Sequence, residues 1–143
     1  IFKALDAEYG FTWDLAASPG LAKVAPFAHY SIKDDALTQS WDGLIGFCNP
    51  PYSKIGPWVD KAIEAKDSLI VMLIPGSFET QWFHRATEVA QFQLFKGRIK
   101  FDPPPGIKAS TPRINNALLV FGAPPGFGGY RCAKTGERLN GPT

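Results

Sequence analysis

Two apolar runs, Leu44 to Cys48 and Ser68 to Ile74, flank a stretch with helical spacing, and few folds accommodate that order. Near-continuous apolar strands are buried on both faces, as in a parallel sheet covered by helices. The intervening Pro57 to Lys66 reads as that cover. Ile55-Gly56-Pro57-Trp58 opens it with proline in the first turn, and Trp58, Ala62 and Ala65 share one face with Val59 and Ile63 beside them. Ile1 to Tyr9 reads as a helix stopped by Gly10, and Phe11 to Ala17 as a buried strand leaving through a loop at residues 16–20. Pro26 to Ile32 is a weaker strand, and Trp41-Asp42-Gly43 a turn. Glu79 to Ala90 reads as a helix with Trp82, Phe83, Ala86 and Val89 inward. Phe92 to Phe95 and Arg98 to Phe101 read as short strands joined at Lys96-Gly97, and Asn116 to Phe121 as the last clear strand. This predicts an α/β fold, doubly wound, with a mostly parallel sheet and an antiparallel hairpin toward the C-terminus. Asp102 to Asn116, with four prolines, reads as a long loop, of the kind that is usually functional or disordered. Residues 1–122 then form the domain, and the Gly/Pro-rich basic tail 123–143 is expected to be irregular.

The first apolar run ends directly in Asn49-Pro50-Pro51-Tyr52. Open α/β sheets bind ligands at the carboxyl ends of their strands, so this rigid loop stands where chemistry is expected. Each proline fixes φ near −65°, and Pro51 biases Pro50 toward an extended conformation. Such a loop suits holding a planar amine still. The Asn49 side-chain oxygen and the Pro50 carbonyl offer two acceptors for its N–H bonds, and the Tyr52 ring offers a face to stack on. The exocyclic amine of adenine is a poor nucleophile that such acceptors would activate. The plainer alternative is a strand-ending turn with a packed tyrosine.

At 143 residues the chain suits a single domain, and 45% hydrophobic with 20% charged residues is ordinary for a globular protein. No run of 18 apolar residues marks a membrane span and no signal peptide is visible, so a cytoplasmic location is expected. The two cysteines, Cys48 and Cys132, suit a reducing compartment, and with two distant histidines they give no metal-ligand spacing. Charge is unevenly spread. Residues 1–95 hold 7 basic and 11 acidic residues, net −4, whereas residues 96–143 hold 8 and 2, net +6. A basic half points to a polyanionic partner such as nucleic acid.

Several stretches together resemble the phage-type Dam-like DNA N6-adenine methyltransferases. These are Phe11 to Pro19, Asp34 to Leu37, Trp41 to Gly43, Asn49 to Tyr52, Ile55 to Ala62, Trp82 to His84, Gly97 to Phe101 and Ala117 to Phe121, in family order over about residues 1–122. The resemblance implies a reduced Rossmann-like fold that transfers methyl from S-adenosylmethionine to adenine in DNA, in a bacterial host cytoplasm if the chain is phage-encoded. It implies cofactor-binding roles for Asp14, Ala16 and Ser18, and for Asp35 with Leu37. It implies catalytic roles for Asn49, Pro50, Pro51 and Tyr52. Lys54, Arg98, Lys100, Lys108 and Arg113 are expected at DNA by charge, with Arg98 and Arg113 by resemblance as well. The chain departs from the family in lacking the broader Gly-x-Gly cofactor signature, and the Thr-Pro pair usual in relatives belongs upstream of Ile1. Two alternatives stand beside this reading. One is a glutamine N5 methyltransferase, which also uses Asn-Pro-Pro-Tyr on a planar amide. The other is a catalytically inactive nucleic-acid-binding module of the same fold.

Overall fold

The computed structural model describes residues 2–16, 28–29, 36–99 and 115–139. Helix α1 (Phe2–Tyr9) ends where Gly10 takes φ 68°, its amide bonding back to the Asp6 carbonyl at 2.8 Å. That is the usual glycine helix stop. The chain then enters β1 (Trp13–Asp14), and β2 (Ala28–His29) lies beside it. A one-turn 3-10 segment (Ala36–Thr38) and the turn at Trp41-Asp42-Gly43 lead into β3 (Ile45–Cys48). Helix α2 (Ile55–Glu64), β4 (Leu69–Pro75), α3 (Gln81–Thr87), β5 (Gln91–Lys96), β6 (Asn116–Phe121) and β7 (Gly126–Cys132) follow.

The seven strands among the described residues form one sheet in the order β2-β1-β3-β4-β6-β5-β7. Only β6 is reversed, pairing antiparallel with both β4 and β5, while every other neighbouring pair is parallel. The expected mostly parallel sheet is therefore present. Alternate residues of the central strands divide between two cores, as strand geometry requires. Ile70, Met72 and Ile74 of β4 and Leu119 of β6 meet Ile55, Val59, Ala62 and Ala86 from α2 and α3. Val71 and Leu73 with Leu118 and Val120 face the opposite way, toward Leu5 of α1 and Phe11. Each such buried aliphatic side chain stabilises the fold by about 1.5–3 kcal/mol relative to exposure. The result is a helix-sheet-helix sandwich in which both faces of β4 and β6 are dry.

Four expectations need correction. Residues beyond Gly122 are not irregular throughout, since β7 pairs in parallel with β5 at the sheet edge. Its glycine content is accounted for at Gly128, where a Cβ would run into the Gln91 side chain, and its aromatic rings supply the packing that the glycines lack. Phe127 packs on Phe92 with ring centroids 5.4 Å apart. Arg98 and Ile99 are not a strand: Gly97 turns the chain at φ 93°, and Ile99 drops into the α1-side core. The antiparallel partner of β5 is accordingly β6, reached through the chain from Gly97 to Asn115 instead of a tight hairpin. Val89 lies beyond the end of α3 and is 47% exposed, because that helix runs only from Gln81, capped by the Thr80 hydroxyl, to Thr87. Among the described residues no helix is long and apolar enough to cross a membrane, and no group of three or more His, Cys, Asp or Glu could hold a metal ion.

Candidate active site at the carboxyl edge of the sheet

The connection from β1 runs to β2 on one side, whereas β3 and β4 build outward on the other. The chain thus reverses its winding direction between β1 and β3, and a crevice outside the carboxyl ends of two such strands is the favoured ligand position of an open α/β sheet. Asp14 ends β1 and Cys48 ends β3, with Asp14 in register opposite Phe47. The Asp14 carboxylate is buried, 2% exposed, and accepts a bond from the Ala16 amide at 3.3 Å that folds the strand exit back on itself. Gly46 makes room for this exit. A side chain there would meet Leu15 Cδ1 at 2.6 Å, so glycine lets Leu15 pack directly on β3. Burial, and then the Asp14 charge, push the Cys48 thiol well above its ordinary range. That thiol is neutral core, not a nucleophile.

Asn49 follows Cys48 and is partly exposed, Pro50 is buried and Pro51 is exposed. Pro51 has φ −60°, the value its ring fixes, with ψ 126°, and its carbonyl accepts from the Lys54 amide at 3.2 Å. Residues Tyr52–Lys54 make a single 3-10 turn that runs straight into α2. The loop is therefore fixed at both ends, by β3 and by the helix start. Tyr52 remains 36% exposed, so part of its side chain is open to solvent. Its hydroxyl accepts a hydrogen bond from Asn116 Nδ2 at 2.8 Å. Partial burial raises the phenol from 10 to about 12, against a smaller lowering by that bond.

Asn116 carries no motif signal. It is the polar first residue of an otherwise apolar strand, and it reaches this edge because β6 alone runs backward, beginning where β3 and β4 end. Its register partner is Pro75, the last residue of β4. A polar residue heading a buried strand was the one available hint.

The remaining expected residues are distributed as follows. Leu37 is half-buried in the 3-10 turn, whose Ala36 carbonyl is gripped by buried Trp41 through its indole N–H at 3.0 Å. Lys54 is exposed in the turn containing Tyr52, and Arg98 is exposed just beyond the carboxyl end of β5, which shares its direction with β3 and β4. Ser18, Asp35, Lys100, Lys108 and Arg113 lie outside the described residues. Arg131, counted in the basic half, is 1% exposed and bonded to Glu8 at 2.9 Å, so this part of the positive charge is structural.

The family model for DNA N-6-adenine-methyltransferase (Dam) matches residues 1–124. The chain belongs to the Dam family. No match was found among curated proteins or among solved structures. The Dam match takes in α1 through β6 and stops before β7, so both the Asn49 loop and Asn116 fall within it. Dam membership points to methylation of adenine in DNA.

Proposed function

We propose that this Dam-family chain is a DNA N6-adenine methyltransferase that uses S-adenosylmethionine and acts on an adenine turned out of the duplex, on a reduced Rossmann-like fold. The observation that carries the proposal is the placement of Asn49-Pro50-Pro51-Tyr52 at the switch crevice, one strand away from buried Asp14. Asp14 and Ala16 at the β1 exit, together with Leu37, suit the cofactor: a buried carboxylate is an acceptor for amine or hydroxyl donors, and small side chains leave room for a flat ligand. The cofactor supplies an electrophilic methyl with a good leaving group.

The chain's own residues supply the rest. Asn49 Oδ1 and the Pro50 carbonyl accept the two N–H bonds of the adenine amine and enrich its nitrogen, while the Tyr52 ring offsets the few kcal/mol of unstacking that extrusion costs. No strong general base is required, because the methylated amine releases its proton readily. Catalysis is then mainly positioning and electrostatic preorganisation. Lys54, in the turn after the tetrad, and Arg98, beyond β5 at the same edge of the sheet, serve as phosphate contacts. Sequencing DNA for N6-methyladenine after expression in cells lacking endogenous adenine methylation tests the proposal. Methylated adenine is expected, and its absence with a folded, cofactor-binding protein present would count against it.

A further inference from the structure

We propose that Asn116 is a positioning residue of this site, fixing the plane and depth of the Tyr52 ring through the Tyr52 hydroxyl; the inference rests on the reading of Tyr52 as the stacking surface. The Asn116 side chain is 3% exposed, and its Nδ2 donates to Tyr52 Oη at 2.8 Å and to the Ile74 carbonyl at 3.1 Å. Ile74 O can only accept, so it fixes which end of the carboxamide carries the nitrogen. Both amide hydrogens are then spent, one on the carbonyl near the end of β4 and one on the tyrosine. Tyr52 is held as an acceptor, in a single orientation, by a group anchored to the central strand.

The other end of the same carboxamide makes the case. Asn116 Oδ1 is buried with no hydrogen-bond partner. An unsatisfied buried acceptor lowers stability, and an apolar residue of similar size at the head of this apolar strand would avoid that loss. What the carboxamide gives in return is the donor to Tyr52. A half-exposed ring on a one-turn helix would otherwise rotate about its side-chain bonds, and every orientation lost on base binding would weaken stacking. Only a reversed strand delivers its first residue to this edge, which is why the latch comes from β6, 64 positions away in sequence.

The test compares the parent with Asn116→Leu, similar in size but without a donor, Tyr52→Phe, which leaves the Asn116 bond to Ile74 intact, and the double variant. Single-turnover methyl transfer to duplex DNA, calorimetric affinity for S-adenosylmethionine, and NMR of ring-labelled tyrosine are read on each. Each single variant is expected to lose about threefold to tenfold in transfer rate, the double no more than the worse single, with cofactor affinity held within about twofold. The Tyr52 ring signals are expected to sharpen toward fast averaging in Asn116→Leu. Losses that multiply in the double variant, or a Tyr52→Phe protein at the parental rate, would overturn the proposal, and the latter holds even if Asn116→Leu fails to fold. Should the parent transfer no methyl at all, the enzymatic reading fails separately. The ring signals then decide the latch alone: a Tyr52 ring as mobile in the parent as in Asn116→Leu overturns it.

Discussion

Arg131 of β7 donates to the Glu8 carboxylate of α1 across 2.9 Å, joining two elements from opposite ends of the described chain. The same guanidinium also donates to Gln93 Oε1 at 2.5 Å, the Gly136 carbonyl at 2.9 Å and the Tyr9 hydroxyl at 3.2 Å. Arg138 binds the same Glu8 oxygen at 2.8 Å. Because Arg131 is buried, its loss strands several acceptors at once. Arg131→Leu is expected to cost about 3 kcal/mol in urea unfolding, while a loss below about 1 kcal/mol would mean the network is redundant.

Glu8 adds a pH dependence to that network. Burial pushes its carboxyl up, but the bonds and charges of Arg138 and Arg131 outweigh this and hold it below its ordinary 4.5. A depressed folded value contributes stability that is present above 4.5 and is lost as pH falls through the folded value. Stability should therefore decline in acid more steeply in the parent than in Glu8→Gln, and parallel declines would remove Glu8 from the account.

Tyr52 works in the opposite direction and at the other end of the scale. Its phenol is raised from 10 to about 12, so between those values the unfolded chain ionises while the folded one stays neutral. Stability is then lost as pH rises through that window, and Tyr52→Phe should flatten the decline. The ring is partly solvated, which keeps the effect modest. An identical alkaline profile for both proteins would contradict it.

The two thiols should differ sharply in reactivity. Cys132 is lowered by backbone N–H groups of Thr135 and then Lys134, whereas Cys48 is buried and raised. Iodoacetamide at pH 8 is expected to label Cys132 alone in the folded protein and both after denaturation, read by mass spectrometry. Early labelling of Cys48 would show that the β3 end opens.

The parts of the fold that were legible in the sequence are those set by local pattern. The apolar runs 44–48 and 68–74 became β3 and β4 because burial on both faces leaves no other periodicity. The tetrad was legible because two prolines determine backbone geometry by themselves. What was hidden depends on partners far along the chain. Strand β7 is Gly-rich and has weak intrinsic preference, and it exists through its ladder with β5. Arg131 looked like surface charge until its fold partner Glu8 was in place. Asn116 gains its meaning only once β6 is reversed beside β4, a topological fact that no local spacing encodes.

The central claim is that the Asn49 side chain activates an adenine amine, and the most direct measurement is transfer of a labelled methyl from S-adenosylmethionine to DNA by the parent and by Asn49→Ala. The parent should label DNA at adenine N6. The variant should melt with the parent and bind the cofactor equally, yet transfer about a hundredfold or more slowly, as when one preorganised polar contact to a reacting group is lost. An Asn49→Ala protein that methylates adenine at the parental rate would contradict the account.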